Sequence, residues 1–138
     1  MAEIKRTYYE SGELKSEVYI INGKKNGENK LYYNNGQIIE IYSYIDDKKN
    51  GEYKKYHSNG QLYEIYNCID DNKNGEYKSY YEDGQLYVIC SYIDGIRIGE
   101  YKSYHSNGKL HQNNFYIDDE KSWIKRAFKI SLFIKLTN

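Results

Sequence analysis

Apolar and polar side chains alternate along most of this chain, in short runs that are separated by polar turns. In residues 56–69, two such runs flank the dipeptide Asn59-Gly60. Alternation with a period of two predicts β-strands. Because Asn-Gly between two strands favours a two-residue type I′ turn, this segment predicts a β-hairpin in which Tyr56 faces Tyr63.

The same pattern returns every 24 residues, and glycine marks the period most clearly. A fixed period of this length predicts a repeat protein, in which one supersecondary unit is stacked along an axis. Five units result, the last of which begins at Tyr104 and fades after Asp119. Two glycine series carry the period: Gly12, Gly36, Gly60, Gly84 and Gly108, and Gly27, Gly51, Gly75 and Gly99.

Each unit also has a second polar connection, such as residues 46–51 (Asp-Asp-Lys-Lys-Asn-Gly). We expect it to form a longer hairpin loop at the opposite edge of the sheet. Each unit then contributes one long and one short strand, so that residues 1–119 form a meander of roughly ten antiparallel strands. The predicted fold is all-β, an elongated array of five 24-residue β-hairpin repeats.

Neither face of the predicted strands is apolar enough to build a thick core. Strict alternation places Leu62 and Tyr66 on one face, and Tyr56, Tyr63 and Ile65 on the other. Each face therefore mixes aromatic, aliphatic and polar side chains. We expect a single-layer sheet in which each unit is stabilised by its neighbours.

Residues 120–138 break the repeat and predict a C-terminal capping segment. From Ser122 to Ser131 the apolar residues, among them Trp123 and Phe128, fall on one side of a helix, and the basic residues fall on the other. Such an amphipathic helix would cover the open end of the sheet, where an unpaired strand invites association. Beyond Ser131 the apolar residues also alternate, so both helix and strand stay open there.

Composition narrows the class of protein. Lys plus Arg and Asp plus Glu both number 20, so no net charge steers the protein to nucleic acid. The sequence begins without an apolar signal segment and has no stretch long enough for a transmembrane helix. We therefore expect a cytoplasmic protein with Cys68 and Cys90 reduced. Abundant Ile, Asn, Lys and Tyr are typical of AT-rich genomes, and for a viral source the location would be the host cytoplasm.

Catalytic, cofactor and metal sites find little support in the sequence, and we expect no enzyme activity. His57, His105 and His111 lack a Cys or a carboxylate in register to complete a metal site. The acidic pairs Asp46-Asp47 and Asp70-Asp71 serve the turns, because Asp stabilises turn backbone. One lysine series would suit a phosphate backbone, but a glutamate two residues earlier cancels each charge: Lys30, Lys54, Lys78 and Lys102.

Tyrosine, with 19 copies, is the residue type best suited to contact a partner. One tyrosine recurs at the start of each unit, and two aromatic residues follow in the C-terminal segment. Together they form the candidate contact set: Tyr32, Tyr56, Tyr80, Tyr104, Trp123 and Phe128. The alternative is that these rings only cover the sheet by packing on neighbouring units.

Motifs of the fourth unit resemble those of a known family. Tyr80–Leu86 (Tyr-Tyr-Glu-Asp-Gly-Gln-Leu), Tyr92–Gly95 and Gly99–Lys102 resemble the MORN repeat, in the variant form found in antitoxin-like bacterial proteins and giant-virus repeat proteins. The resemblance covers approximately residues 6–119. It implies successive β-hairpins in a rod that serves interaction or assembly, and it implies no catalytic residues.

These observations favour a non-enzymatic scaffold for protein interaction or assembly, with self-association through an end strand or the tail as one form of assembly. Two alternatives stay open. In the first, an antitoxin-like protein binds and blocks a partner enzyme. In the second, a peripheral membrane protein uses the basic C-terminal helix and Trp123.

Overall fold

The computed structural model describes residues 1–117, 131–132 and 134–137. The first of these ranges forms one open antiparallel sheet, in which the strands follow one another in chain order. This confirms the predicted all-β meander. The eleven strands are β1 (Ala2–Tyr8), β2 (Leu14–Ile21), β3 (Lys24–Tyr32), β4 (Ile38–Ile45), β5 (Lys48–Lys49), β6 (Gly51–Tyr56), β7 (Leu62–Ile69), β8 (Asn72–Tyr80), β9 (Leu86–Ile93), β10 (Ile96–Tyr104) and β11 (Leu110–Tyr116).

The core is thin because the sheet is a single layer, as predicted. Most of the buried side chains of the described residues come from β7 to β10. They are Ile20, Tyr53, Cys68, Val88, Cys90, Ile93 and Ile98, with the polar Asn29, Ser79 and Ser103. Stability therefore comes mainly from strand pairing and from contacts between side chains on the same face.

The turn at Asn59-Gly60 is not the predicted two-residue type I′ turn. The Gly60 N–H donates to the His57 carbonyl at 2.9 Å, and the His57 N–H donates to the Gln61 carbonyl at 2.8 Å. Within this turn the left-handed backbone is confined to Gly60, with φ of 85°. Ser58 and Asn59 are therefore the central residues of a type I turn that the glycine closes. The Asn59 Oδ1 stabilises it by accepting the Gln61 N–H at 2.9 Å.

The longer turn shifts the pairing by one residue beside the turn only, because a bulge restores the predicted register from Lys55–Glu64 onward. Tyr56 pairs with Leu62 instead of the predicted Tyr63, and the pairing is irregular at this point. Leu62 therefore shares a face with Tyr56, whereas Tyr66 pairs with Tyr53 on the other face. The prediction that Leu62 and Tyr66 lie on one face was wrong, because an extra residue in one strand interrupts the alternation.

The predicted longer loop at residues 46–51 is instead a two-residue type I′ turn. Asp46 and Asp47 both have positive φ, at 47° and 67°, and Ile45 pairs with Lys48 directly across the turn. Type I′ turns need positive φ at both central residues, and Asp and Asn tolerate it better than other residues with side chains. Equivalent turns lie at Asn22-Gly23, Asp70-Asp71 and Asp94-Gly95.

The C-terminal residues that the structure describes are helical, at 131–132 and 134–137. The open choice beyond Ser131 is therefore settled in favour of helix. The part of the predicted amphipathic helix before Ser131, with Trp123 and Phe128, lies outside the described residues.

This C-terminal helical segment lies against the sheet at the fourth unit. Leu136 and Thr137 line a depression together with Ile93 of β9. Ile93 is 8% exposed, whereas Ile69, at the same position one unit earlier, is 51% exposed. The described side chains of the segment are themselves exposed, with Leu136 at 72%, so the predicted capping role stays a prediction.

Replacing Gly60 with alanine tests the left-handed turn position. A residue with a Cβ at this φ is strained by about 1–2 kcal/mol, so we expect Gly60→Ala to lower the free energy of unfolding by that amount. Urea unfolding followed by circular dichroism measures the change. The matched control is Ser58→Ala, at an exposed residue of the same turn. Equal midpoints for the two variants would contradict the assigned turn.

Candidate interaction surfaces on the two faces of the sheet

The two faces of the sheet carry different side chains, and both sets follow the repeat. The cation–tyrosine face is defined by Tyr42, Tyr44, Tyr53, Tyr66, Tyr77, Tyr92, Tyr101 and Tyr116 with Lys25, Lys49, Lys73 and Arg97. The ion-pair face is defined by Glu28–Lys30, Glu52–Lys54, Glu76–Lys78 and Glu100–Lys102, with Tyr32, Tyr56, Tyr80, Tyr104, Ile41, Ile65 and Ile89. Cross-strand pairing separates the sets, since Tyr53 lies opposite Tyr66, and Lys54 lies opposite Ile65.

The tyrosines of the cation–tyrosine face form a row of rings across the strands. Tyr66 stacks on Tyr53 with ring centroids 4.5 Å apart, and on Tyr77 at 5.8 Å. The row continues from Tyr53 to Tyr42 at 5.5 Å and from Tyr77 to Tyr92 at 6.0 Å. Such ring pairs stabilise a fold beyond the apolar area that they bury.

One cation per unit lies over these rings. The Lys73 Nζ is 4.5 Å from the ring centroid of Tyr66 and 4.7 Å from that of Tyr77. Arg97 holds the equivalent place in the next unit, with its guanidinium carbon 4.9 Å from the Tyr101 centroid. Because the face of an aromatic ring attracts positive charge, the protein's own tyrosines hold these cations.

Two carboxylates on this face accept hydrogen bonds from tyrosines. The Tyr77 hydroxyl donates to Glu64 Oε2 at 2.8 Å, and the Tyr53 hydroxyl donates to Glu40. Burial, reinforced by the bond to Glu64, raises the pKa of Tyr77. Burial and the bond to Glu40 raise the pKa of Tyr53 in the same way. Both phenols therefore stay protonated at neutral pH and act as donors.

Reasoning from the sequence did not single out this face as a site, because it selected the tyrosine at the start of each unit. The rings that stack on one another lie further along the strands. A signal was present, since these residues also recur every 24 positions: Tyr53, Tyr77 and Tyr101, and Lys25, Lys49, Lys73 and Arg97. The predicted register already placed Tyr53 opposite Tyr66, as observed, but it did not show that their rings stack or that a cation lies over them.

In the first four units, the second residue of the Tyr-Tyr or Tyr-His pair links its unit to the next. The Tyr81 hydroxyl donates to the Tyr104 carbonyl at 2.7 Å. His57 takes this place one unit earlier, with its Nε2 2.9 Å from the Tyr80 carbonyl oxygen. Since a carbonyl only accepts, the Nε2 of His57 carries the hydrogen, and His57 acts as a structural donor. Equivalent bonds come from Tyr9 and Tyr33.

Metal and thiol chemistry have no evident site in the described part of the chain. No group of three His, Cys, Asp or Glu side chains there is placed to hold a metal ion. His105 and His111 do come together, with ring centroids 4.3 Å apart. Cys68 and Cys90 are free and buried, and burial raises the pKa of both thiols. Both are therefore protonated and fill the thin core.

Each lysine of the ion-pair face is bound to the glutamate two residues before it. The Nζ–Oε1 distances are 2.7 Å for Lys30–Glu28, 2.7 Å for Lys54–Glu52, 2.8 Å for Lys78–Glu76 and 3.1 Å for Lys102–Glu100. These pairs neutralise the face locally. The lysine series is therefore not an uncompensated positive track for a phosphate backbone.

Three equivalent depressions lie on the ion-pair face. Each is lined by an isoleucine, a tyrosine and a Glu–Lys pair. These are Ile41, Tyr56 and Glu52–Lys54 in the first, Ile65, Tyr80 and Glu76–Lys78 in the middle, and Ile89, Tyr104 and Glu100–Lys102 in the last. Their volumes are about 310, 400 and 290 Å³ in that order. Three tyrosines of the predicted contact set therefore line one depression each.

The other predicted contact residues are placed differently. The Tyr32 hydroxyl donates to Glu17 Oε1 at 2.9 Å, because Glu17 stands where the next three units have an isoleucine. Trp123 and Phe128 lie outside the described residues. The structure thus brings the tyrosines of the set onto one face but engages Tyr32 with a carboxylate of its own chain.

The sheet and its two repeating faces define a β-hairpin repeat protein with an open, single-layer architecture. The sequence profile described as MORN repeat variant matches residues 4–22, 25–46, 49–67, 73–94 and 97–118. This protein therefore belongs to the MORN repeat variant family, as the motifs of the fourth unit predict.

No curated protein matches the sequence. A solved structure titled "Crystal structure of GtfA/B complex bound to UDP and GlcNAc" aligns with 99% of this chain and 27% of that chain, at 12% identity and a TM-score of 0.33. A likeness at this level carries no functional argument. Within the described residues, no helix is both long enough and apolar enough to cross a bilayer.

Removing the Tyr81 hydroxyl tests the link between neighbouring units. Tyr81→Phe loses one hydrogen bond to a backbone carbonyl, so we expect the free energy of unfolding to fall by about 1 kcal/mol. The control is Tyr87→Phe, since this ring packs on Tyr81 but is 41% exposed. Urea unfolding of both variants gives the comparison. A Tyr81→Phe variant as stable as Tyr87→Phe would argue against the link.

Alkaline pH tests the buried row of rings. Burial raises the pKa of Tyr42, Tyr53, Tyr66 and Tyr77, whereas an unfolded chain ionises its tyrosines near about pH 10. Their contribution to stability is therefore complete below about pH 10 and is lost as pH rises further. We expect the urea midpoint to fall steeply above that pH. In the folded protein, the absorbance of tyrosinate should appear at a higher pH than in the unfolded chain. Simultaneous ionisation of all tyrosines in the folded protein would refute this.

Proposed function

We propose that this protein is a non-enzymatic scaffold that binds a protein partner through the ion-pair face, with Tyr56 and Tyr80 at the centre of the contact. The observation that carries the proposal is the pair of depressions that these rings line in the first and middle positions. Aromatic rings that line interface pockets are typical anchors of protein interfaces. Membership of a repeat family with general interaction roles supports the same reading.

The cation–tyrosine face is less suited to a partner. Its lysines lie over its own rings, as Lys73 does over Tyr66 and Tyr77. Its buried hydroxyls donate to its own carboxylates, as Tyr77 does to Glu64. A partner on this face would have to displace contacts that hold the sheet together, whereas the ion-pair face offers surface without that loss.

The chemistry of the depressions supports binding rather than catalysis. Their charged side chains pair with each other, as Glu76 does with Lys78 at 2.8 Å. A general acid or base needs a pKa matched to proton transfer near neutral pH. The Lys78 bond to Glu76 instead raises the pKa of that lysine further above its already high ordinary value. In this proposal residues 1–119 supply the binding array, and residues 120–138 act as an accessory segment.

Paired tyrosine substitutions on the two faces test the proposed surface. The double variant Tyr56→Ser with Tyr80→Ser removes the rings of the ion-pair face. The control, Tyr63→Ser with Tyr87→Ser, removes two exposed rings on the cation–tyrosine side, where Lys55 lies 5.6 Å from the Tyr63 centroid. Each protein is immobilised and then incubated with lysate of the source organism. The proteins that it retains are quantified by mass spectrometry.

We expect a protein retained by the native chain to fall about tenfold with the ion-pair variant, which corresponds to about 1.4 kcal/mol of binding. Retention by the control variant should stay unchanged. Equal losses with both double variants, at equal thermal stability, would contradict the proposed face. Absence of any specifically retained protein would contradict the scaffold role.

A further inference from the structure

The two end strands of the sheet match strands that pair with each other inside the array. Among the described residues, β1 and β11 each have a neighbouring strand on one side only. β11 stands at the repeat position of β9, and β1 stands at that of β10. β9 and β10 pair along most of their length. Because an unpaired edge is a ready template for a further strand, β1 of one copy fits the outer edge of β11 of another.

We infer that a second copy of this chain adds its β1 to β11, so that the copies assemble head to tail and continue the repeat. The contact uses two different surfaces of each copy and can therefore recur from copy to copy. It is separate from the partner proposed for the ion-pair face. The described C-terminal residues Leu136 and Thr137 lie beside Ser91 and Ile93 of β9 rather than along β11.

The register inside the array gives the pairing between the copies. Ile89 of β9 lies opposite Lys102 of β10, which corresponds to Asn113 opposite Arg6 of the next copy. The later units have a glycine such as Gly99 where β1 has Glu3, so the match is limited to Lys5–Tyr8. None of the pairs in this stretch opposes like charges. They are Gln112 with Thr7, Asn113 with Arg6 and Asn114 with Lys5.

Apolar side chains at the two ends are exposed where their inner counterparts come together. Leu86 and Tyr104, from neighbouring units, line one depression. The residues at these positions on the end strands are Leu110 and Tyr8, which are 52% and 58% exposed. Head-to-tail pairing would bring these two side chains together, and the removal of apolar surface from water favours association.

His105 carries the donor for the link between neighbouring units. Its counterpart His57 has its Nε2 2.9 Å from the Tyr80 carbonyl oxygen. In the head-to-tail contact, the equivalent carbonyl belongs to Tyr8 of the next copy. His57 is half-buried, whereas His105 packs on His111 and stays exposed. A second copy would supply the acceptor that the next unit supplies elsewhere.

The two end turns carry opposite charges at one repeat position. The inner units have glutamine there, for example Gln85, whereas the first unit has Glu13 and the last has Lys109. The Gln85 Oε1 lies 3.6 Å from the place that a Cβ on Gly108 would take, in the next turn. Lys109 would likewise lie beside Gly12 of the next copy, adjacent to Glu13. Opposite charges favour contact of unlike ends over contact of like ends.

Sedimentation of the intact protein tests for assembly. We expect the weight-average mass to rise continuously with concentration up to about 1 mM, because a head-to-tail contact does not stop at a dimer. A monomer throughout this range would overturn the inference. A plateau at the mass of a dimer would also overturn it, since two like ends produce a closed pair.

Charge reversal tests the order of the ends. Glu13→Lys and Lys109→Glu each bring like charges together, so each variant should associate about threefold to tenfold more weakly at low salt. The double variant restores opposite charges and should associate like the native chain. Lys48→Glu, at an exposed residue of an inner turn, is the control and should have no effect. Equal association of all variants, or no recovery in the double variant, would contradict the contact.

Proline in the end strands blocks one edge at a time. The Asn22 N–H donates to the Met1 carbonyl at 3.1 Å, so alternate residues from Met1 onward bond to β2 and the Arg6 N–H points away from the sheet. Asn113 holds the repeat position of Glu17, which lies opposite Arg6, so its N–H also points outward. Arg6→Pro and Asn113→Pro therefore block β1 and β11 without removing a bond of the sheet.

We expect each proline variant to be monomeric alone, and the two together to form a one-to-one complex through the edges left open. A variant that still associates alone would show contact of like ends and overturn the inference. Circular dichroism checks that both variants fold, and the charge variants decide the question if one does not. Loss of assembly with unchanged retention of a partner by Tyr56 and Tyr80 would leave the proposed scaffold function standing.

Discussion

A one-layer sheet has no opposing layer in which to bury apolar side chains, so contacts between neighbouring units must stabilise it. Hydrogen bonds between units occur at both rows of turns. At one edge the Tyr81 hydroxyl reaches the Tyr104 carbonyl of the next unit. At the other, the Asp47 N–H donates to the Lys25 carbonyl at 3.0 Å, and the Lys25 N–H donates to Asp47 Oδ1 at 2.8 Å. Stability is then a sum over neighbouring units.

The same constraint gives the two faces of the sheet different roles. Tyrosine suits the cation–tyrosine face because its ring stacks on neighbours while its hydroxyl finds an acceptor, as Tyr77 does with Tyr66 and Glu64. Those contacts take the place of a second layer. The ion-pair face relies on contacts along single strands, such as Glu52 with Lys54, which leave the hollows between strands open. A partner bound on this second face would leave the stacked rings of the first intact.

The 24-residue glycine period was sufficient to predict the sheet, the meander and the single layer. It was not sufficient to place the turns, because Asn59-Gly60 fits both a type I′ turn and a type I turn closed by glycine. The choice decided which of Leu62 or Tyr63 faces Tyr56. The turn type did not change which tyrosines meet further along the strands, because the bulge restores the predicted register and Tyr53 lies opposite Tyr66 in both. Part of the contact set could be predicted from the sequence, because Tyr56 and Tyr80 lie outside the row of stacked rings on the cation–tyrosine face.

The fourth unit shows how the array passes from repeat to C-terminal segment. In the earlier units an asparagine side chain accepts the backbone N–H of the next turn, as Asn74 Oδ1 does from Asp94 at 3.1 Å. Ile98 stands at this position in the fourth unit and has no acceptor to offer. Its side chain is 1% exposed, so apolar burial takes the place of a polar link to another unit. The link that fastens each earlier unit to the following turn therefore cannot be made by this side chain of the fourth unit, where the repeat gives way to the C-terminal segment.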